Sequence, residues 1–483
     1  MRLGDLLIRA KRVTEADVAK ALERGNAHGG RLGDNLVAIG AIDEQTLDSY
    51  LHRIPGEPAD IAATGIDETE LINLLMKLIY TARLQSVRQY MDAIKLPYHI
   101  VSELVRMAVD RHLLHTLGTR LSDNPIDLSY ALTETGRRWT LDALERLRYA
   151  GPAPVTLEEF SEQVSRQKLT SEIVTLNRIR ASVGDLEMEE SVLEQVGPAF
   201  NSGRAILLYG PPGNGKTTVA HRLASVFQDV VFLPFAVQVE GQIIRVHDPS
   251  VHYPVDLPLS GDDDGFSFVR HDEYDGRWVP CRRPFVVSGG ELTLEMLDLR
   301  YEQTGHYYEA PLHMKALGGC FLIDDFGRQL VTPANLLNRW IVPLESRVDY
   351  LKLHTGKSFS IPFEEMVIFS TNLEPEELMD PAFLRRLPYK IQVGPPDIER
   401  FRRIFVHECQ RHGMALPDDV FAAIVHKIRN EKELDFAAFQ PKFIVDQVVA
   451  TCRFMGQKPH FEPRFIEYAI DNLRVKRTPG QSG

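Results

Sequence analysis

The chain has 483 residues, of which 44% are hydrophobic, and its formal net charge at pH 7 is −12. The length predicts about three domains, the composition is that of globular proteins, and the negative charge argues against a chain that coats nucleic acid along its whole length. No apolar run reaches the ~18 residues of a membrane span, and no signal-peptide core is present. Four scattered cysteines without C-x-x-C spacing predict reduced thiols in a cytoplasmic protein.

Residues 1–55 contain a duplication. The segment Arg2-Leu3-Gly4-Asp5 recurs 29 residues later as Arg31-Leu32-Gly33-Asp34. Thr14 and Asp43 occupy helix N-cap positions, so each unit is predicted to form two short helices. One unit has too little core alone, and the two are expected to pack together as a small helical repeat domain.

This repeat resembles the N-terminal domain of type II secretion and type IV pilus assembly ATPases, one branch of which binds cyclic di-GMP. The matches are Arg2, Leu3, Gly4, Leu7, Val18, Ala21 and Leu22 in the first unit, and Arg31, Leu32, Gly33, Leu36, Gly40, Leu47 and Leu51 in the second. The sequence departs from the family at Lys11, where a glycine is usual, and at Gly25, where a glutamine is usual.

The resemblance implies a cyclic di-GMP site in which the paired arginines contact guanine or phosphate and the glycines permit close approach. The site residues that it implies are Arg2, Leu3, Gly4, Leu7, Leu22, Arg31, Leu32, Gly33 and Leu36. A protein-docking module with its arginines on a solvated face is the alternative.

Residues 56–66 are rich in proline, glycine and alanine and are predicted to be a linker. Residues 67–150 show three helical patterns, a strand over 112–119, a turn at 122–125 and a second strand near Tyr130. This order resembles a winged-helix domain. The third helix carries His99 and Arg106 against Glu103 and Asp110, so its charge is near neutral. Contact with protein, or a spacer role, is therefore favoured over DNA binding.

A nucleotide-binding core is predicted from 151 to 400. The apolar run 205–209 is followed by a G-x-x-x-x-G-K-T segment and then by helical spacing, which is the context of a phosphate-binding loop. The loop residues expected to contact nucleotide are Gly210, Pro211, Pro212, Gly213, Asn214, Gly215, Lys216, Thr217 and Thr218. Lys216 is expected to reach the β- and γ-phosphates, and the Thr217 hydroxyl to ligate Mg²⁺.

Residues 230–233 are predicted to form the second core strand. The segment from 235 to 317 has no strong periodicity, and long segments of this kind are usually functional. It is expected to form remodelling loops that face a ring pore or a partner. The spacing of His247, His252 and His271 fits no zinc pattern, so surface histidines are expected.

Two further apolar strands end in polar groups. Residues 319–323 are followed by Asp324 and Asp325, which fit the Mg²⁺ ligand and the water-activating residue of a Walker B strand. In AAA+ ATPases, which this strand end resembles, the second position is usually glutamate, and aspartate is one methylene shorter. Residues 366–371 end at Asn372, which resembles the sensor 1 residue that orients water.

Arg385 and Arg386 lie in a segment that resembles the arginine finger of AAA+ ATPases; two surface arginines at a helix end are the alternative. After Pro395-Pro396-Asp397, four helical patterns predict a lid over 401–475, with residues 476–483 as a disordered tail. Lys442 matches the sensor 2 position and is expected to carry a cation to the nucleotide, although a lysine on a solvated face is also consistent.

Together these motifs resemble AAA+ ATPases over about 185–475. The resemblance implies a multidomain protein with an α/β core, a five-stranded parallel sheet, a helical lid, ATP and Mg²⁺ as ligands, and a homo-oligomeric ring that remodels an unidentified protein partner. Two alternatives remain open: a DNA-binding regulator that ATP assembles, and a nucleotide-gated scaffold with little turnover. Secretion, pili or polysaccharide export follow only from the N-terminal resemblance.

Overall fold

A computed structural model of the chain describes residues 3–119, 128–184, 186–255, 274–379, 381–431 and 434–473. The predicted Arg2 contact, the predicted turn at 122–125, His271 and the predicted tail lie outside these ranges. Within them, no helix combines the length and the apolar character needed to cross a membrane.

The N-terminal unit consists of α1 (Leu3–Arg9), α2 (Glu15–His28), α3 (Leu32–Ala38) and α4 (Glu44–Leu51). Thr14 and Asp43 cap α2 and α4. Leu7 and Leu36 are fully buried in the shared core. A Cβ on Gly33 would lie 2.6 Å from Leu47 Cδ1, and one on Gly4 would lie 3.2 Å from Leu32 Cδ2. The recurring glycines therefore allow close helix packing, which explains the duplication without a ligand.

The N-terminal unit is docked on a later part of the chain through Asp229, which is 3% exposed. The Tyr50 hydroxyl donates to Asp229 Oδ1 at 2.9 Å, and Arg53 Nη1 donates to Oδ2 at 2.7 Å. Residues 56–66, predicted to be a linker, are held against the same later part of the chain, because Arg277, 1% exposed, donates to the Thr64 carbonyl at 3.2 Å. Buried hydrogen bonds thus fix this segment in place.

The middle unit contains α5 (Glu68–Ala82), α6 (Val87–Ile94), α7 (Tyr98–Asp110), β1 (Leu114–Thr119), β2 (Leu128–Leu132) and α8 (Glu134–Arg146). The two strands pair antiparallel, so three helices precede a two-stranded ribbon. The helix after the ribbon was not predicted. On α7, Arg106 lies 3.5 Å from Glu103 in an exposed ion pair, which leaves little uncompensated charge for nucleic acid.

The elements between 151 and 393 are, in chain order, β3 (Val155–Thr156), α9 (Leu157–Arg166), α10 (Leu176–Val183), α11 (Glu190–Ser202), β4 (Ile206–Tyr209), α12 (Lys216–Ala224), β5 (Val230–Pro234), β6 (Ala236–Val239), β7 (Gln242–Arg245), β8 (Trp278–Arg282), β9 (Phe285–Ser288), β10 (Arg300–Glu302), β11 (Tyr307–Glu309), α13 (Leu312–Lys315), β12 (Cys320–Ile323), α14 (Pro333–Ser346), β13 (Val348–Lys352), β14 (Ser358–Pro362), β15 (Met366–Thr371), α15 (Pro375–Leu378), α16 (Pro381–Leu384) and β16 (Tyr389–Gln392).

The core is the predicted five-stranded parallel sheet, with strand order β16-β4-β15-β12-β9. Strands β4, β15 and β12 are adjacent and almost wholly buried, as their apolar runs predicted. Because parallel strands end at the same edge of a sheet, the segments after β4, β12 and β15 meet there. The polar groups that follow these strands are thereby brought to one place.

The predicted second core strand is wrong. Residues 230–233 belong to β5, which pairs antiparallel with β8 outside the core sheet, whereas the fifth core strand is β9, paired with β12. Both segments are short apolar runs, so only long-range pairing distinguishes them. The chain therefore leaves the core after α12 and returns to it at β9. We call residues 225–284 the insert.

The described part of 235–317, where remodelling loops were expected, contains six short strands, β6 to β11, joined by loops. A second sheet has the order β10-β11-β7-β6-β3. Val155 and Thr156 form β3 and therefore belong with this sheet, whereas the predicted boundary at 151 had placed them in the core. His252 is fully buried, not on the surface. Its Nδ1 accepts from Asp248 N, its Nε2 lies 2.7 Å from Lys315 O, and burial lowers its pKa to about 4.

The lid consists of α17 (Ile398–Arg411), α18 (Asp418–His426), α19 (Phe439–Phe454) and α20 (Pro463–Asp471), with one π-helical turn at Lys427–Glu431. These amphipathic helices enclose their own apolar core, which includes Phe401, Phe405 and Ile444. The lid is therefore a compact body that follows the last core strand.

Candidate nucleotide-binding site

The loop between β4 and α12 has a backbone that requires glycine. Gly210 has φ 135°, and a Cβ there would lie 2.6 Å from the Val393 carbonyl; Gly213 has φ 79°, and a Cβ there would lie 2.4 Å from Phe439. Residues with side chains rarely adopt such angles. The loop ends at Gly215, the N-cap of α12, and a helix N-terminus favours a bound anion.

Lys216 begins α12 and is 7% exposed. Its ammonium group donates to the carbonyls of Gly210 (2.8 Å) and Pro211 (3.0 Å) and to Asn372 Oδ1 (2.6 Å). Burial lowers its pKa, while the neighbouring carboxylates of Asp325 and Asp324 oppose this shift. The loop therefore holds a cation where the phosphates of a nucleotide would lie.

Thr217 and Asp324 form a pair of oxygen donors: the Thr217 hydroxyl donates to Asp324 Oδ2 at 2.8 Å. A hydroxyl and a carboxylate are hard oxygen ligands of the kind that Mg²⁺ takes together with phosphate and water. In the described ranges, no group of three His, Cys, Asp or Glu could hold a metal. The donor set thus fits a metal whose remaining ligands come from nucleotide and solvent.

Asn372 connects the predicted catalytic residues. Its Oδ1 accepts from Lys216, and its Nδ2 donates to Asp325 Oδ1 at 3.2 Å. Asp325 is exposed toward the cleft and has φ 48°, an angle uncommon for residues other than glycine. This bend aims the shorter carboxylate at Asn372, so the side chains of Asp325 and Asn372 are in direct contact and both line the cleft.

A cleft of about 710 Å³ lies over the loop, between the core and the lid. Thr218 and the rest of the loop from Pro212 line it, and the lid touches the loop directly: Phe439 N donates to Gly213 O at 2.9 Å and Ala438 N to Asn214 Oδ1 at 3.1 Å. Sequence reasoning missed these contacts because they join residues more than 200 positions apart.

Lys442 lines the cleft, as its predicted role requires, but it is exposed and its ammonium lies 2.8 Å from Asp446. The sequence analysis missed a second lid cation, Arg400, which lines the same cleft and donates to Pro395 O at 2.8 Å. Asp397 caps α17 and so places Arg400 in its first turn. That capping signal was available in the sequence.

Arg385 and Arg386 follow α16 and do not line this cleft. Arg386 is paired with Glu345 at 2.5 Å. Arg385 is exposed, and no described side chain or carbonyl pairs with its guanidinium. Within one chain, therefore, neither arginine reaches the site that holds Lys216.

The N-terminal site residues separate into core and surface. Leu7, Leu36, Gly4 and Gly33 are buried, Leu3 and Leu32 are half-buried, Leu22 is 46% exposed and Arg31 is exposed. Apart from Leu22, the leucines and glycines build the helical core, which leaves Arg31 as the described charged candidate. Lys11 has φ 53° where the second unit has Gly40 at φ 72°, so the glycine that Lys11 replaces is one that the backbone favours.

Comparison with known proteins gives limited information. Residues 397–472, the lid, match a family model described as "Domain of unknown function (DUF8689)". No curated protein matches the chain.

Among solved structures, NtrX from Brucella abortus matches with 15% identity and a TM-score of 0.35, over 72% of this chain and 64% of its own, so less than two thirds of NtrX is spanned. RuvB from Thermotoga maritima, described as a Holliday junction branch migration motor, matches with 13% identity and a TM-score of 0.33, over 63% of this chain and 72% of its own. Similarity this low assigns neither family nor function.

Proposed function

We propose that this chain is an ATP-hydrolysing ATPase of the AAA+ type. The observation that carries the proposal is the convergence of Lys216, Thr217, Asp324, Asp325 and Asn372 after three adjacent parallel strands, within direct hydrogen-bond contact of one another. Each of these residue types has a separate task in phosphoryl transfer, which depends on positioning and charge stabilisation.

The roles follow from the contacts. Backbone N–H groups of the loop and the Lys216 ammonium would bind the phosphates, and Thr217 with Asp324 would hold Mg²⁺, which would supply charge neutralisation at the phosphate oxygens. Asp325 accepts a proton from the attacking water, and Asn372 orients that water. Lys442 and Arg400 close the cleft from the lid side. In the described state Lys216 bonds loop carbonyls, which nucleotide phosphates would replace.

The same proposal includes a homo-oligomeric ring. Arg385 is exposed, has no described partner and cannot reach the cleft of its own chain, which is the position expected of a residue that completes a neighbour's site. An arginine supplied in trans can contribute about 10³–10⁵ in rate.

The test is steady-state ATP turnover with Mg²⁺. Lys216→Ala and Asp324→Ala are expected to abolish turnover, while Lys458→Ala, which removes an exposed lysine far along the lid, serves as the matched control. Nucleotide affinity is measured in parallel by calorimetry, so that loss of binding and loss of chemistry are separated. Normal turnover by Lys216→Ala would refute the assigned site.

For the N-terminal unit we propose regulation through Arg31, with cyclic di-GMP as the first ligand to test. The support is the sequence resemblance and the exposed guanidinium; the buried glycines give none, because helix packing explains them. Losing a charge-assisted contact costs about 1.5–3 kcal/mol, so Arg31→Ala should weaken binding at least about tenfold. The test is calorimetric titration of the full chain with cyclic di-GMP, with Arg24→Ala as the control at another exposed arginine. Absence of heat would favour a docking module, since the N-terminal unit already contacts Asp229 of the same chain.

A further inference from the structure

A second cavity, of about 550 Å³, lies between the middle unit and the second sheet and shares no lining residue with the nucleotide cleft. One wall is α5 and the end of α8; the opposite wall is β6, β7 and the ring side chains of Tyr301, His306 and His354. Sites for small molecules occur preferentially at such junctions between structural units. None of the residues in its lining belongs to the ATPase motifs.

Lys77 is the unusual group in this cavity. It lies in a continuous buried stretch of α5 and is 3% exposed. Its ammonium group has three donors, and among described residues one acceptor is present, the Leu147 carbonyl at 3.1 Å. Burial lowers its pKa to about 8. A buried amine with unused donors is costly unless something else satisfies it.

The free hydrogen-bond donors around Lys77, rather than the net charge, favour an anion, because Asp67 and Glu70 balance the two positive charges of the lining. The two acids of the lining are engaged: Asp67 accepts from Thr69 N at 2.8 Å, and Glu70 accepts from the Gln238 amide. Arg146 lines the same cavity, and its guanidinium has no partner among the described residues. The cavity therefore offers two cations with free donors.

The opposite wall is aromatic. The rings of Tyr301 and His354 are 4.2 Å apart, and those of Tyr301 and His306 are nearly parallel at 6.5 Å. Such rings offer flat apolar faces beside polar edges, which suits a planar ring more than a flexible chain. His306 Nδ1 also bonds the Arg146 carbonyl at 3.1 Å, so the aromatic wall and the cationic wall meet.

We propose that this cavity binds a small planar anion, an aromatic or heterocyclic ring that bears a carboxylate or a phosphate, with Lys77 and Arg146 contacting the acid group and Tyr301 and His354 the ring. Such a ligand would join the middle unit to the insert and stabilise their contact.

The test is calorimetric titration of the full chain with two probe acids, indole-3-carboxylate and pyridoxine 5′-phosphate. Indole and pyridoxine are the ring-only controls, and inorganic phosphate is the ring-free control. We expect at least one acid to bind more tightly than its neutral ring, and the acid that binds shows whether carboxylate or phosphate is preferred. Lys77→Met should weaken binding about tenfold or more.

Two further variants keep the result interpretable. Glu70→Gln removes the acidic neighbour of Lys77 from an exposed position, so it should tighten binding of either acid even if Lys77→Met folds poorly. Lys216→Ala should leave this binding unchanged, which separates the cavity from the nucleotide cleft and from the proposed ATPase activity. The proposal is overturned if neither acid binds at millimolar concentration, if the neutral rings bind equally well, or if Glu70→Gln has no effect.

Discussion

Replacement of Asp229 by asparagine should release the N-terminal unit from the insert. In the native chain the side chains of Arg53 and Asp229 are 7% and 2% exposed and 2.7 Å apart. Asparagine has nearly the same shape and can still accept from Tyr50, but it leaves the Arg53 guanidinium buried without its counter-charge. Removal of one partner from a buried pair costs about 3–5 kcal/mol, which lowers the docking equilibrium constant by about two to four orders of magnitude.

The appropriate assay is amide hydrogen exchange, because a chain with several units does not unfold as one two-state system. We expect faster exchange in α4 and β5 of Asp229→Asn, and little change in β4 or β15. The exposed pair Arg106–Glu103 supplies the control: Glu103→Gln should change the local opening free energy measured by hydrogen exchange by no more than about 1 kcal/mol.

A double variant tests whether the Arg53–Asp229 ion pair itself holds the N-terminal unit. Arg53→Met with Asp229→Asn removes both charges, so it should cost less than the sum of the two single changes, with a coupling energy of about 0.5–3 kcal/mol. Additive effects, or unchanged protection of α4 in Asp229→Asn, would show that the ion pair does not hold the N-terminal unit in place.

Four further predictions can be checked separately. Asp325→Asn should bind ATP normally but hydrolyse it at least about 10²-fold more slowly, measured as single-turnover rate against affinity. Mixing Arg385→Ala with Lys216→Ala should restore part of the turnover that each lacks alone, provided that mixed oligomers are shown by mass; no rescue in such oligomers would exclude action in trans. Lys11→Gly should raise the stability of the N-terminal unit by about 0.5–1 kcal/mol, seen as slower exchange in α1, because it relieves a left-handed residue with a side chain. The pKa of Lys77 is about 8 in the folded chain, against 10.5 for an unperturbed lysine, so between these pH values the unfolded chain binds one more proton than the folded chain. The free energy of unfolding of the wild type should therefore rise relative to that of Lys77→Met as the pH rises from 8 to 10.5. A constant difference between the two proteins would contradict the assigned pKa.

The arrangement of the candidate nucleotide site was predictable because its sequence signals are local. A buried strand that ends in Gly210, Asp324 or Asn372 is marked by the change from apolar to polar residues, and parallel pairing brings these ends together. The second core strand was not predictable in the same way. Residues 230–233 and 285–288 are both short apolar runs, and only their distant partners decide which joins the core sheet.

The second cavity could not be predicted from the sequence either. A lysine at position 77 inside the run from Leu71 to Ile79 is visible in the sequence, but helical periodicity alone does not show that its ammonium lies under a second unit. Burial of Asp229 and of Arg277 likewise depends on contacts with residues more than 100 positions away. Charged groups that are buried by assembly of separate units leave no local pattern.

Docking of the N-terminal unit on Asp229 also has a consequence for synthesis. The contact joins Arg53 to a residue 176 positions later in the chain. At about 5–20 residues per second, a ribosome takes about 9–35 s to pass from one to the other. During that interval Tyr50 of α4 and Arg53, which follows this helix, face solvent without the Asp229 carboxylate, and the apolar contacts of Val230 and Val255 are still unmade. A nascent chain of this length thus carries an exposed docking face that a chaperone or a second nascent chain can occupy first, and translation speed over residues 54–255 becomes a determinant of how much protein assembles correctly.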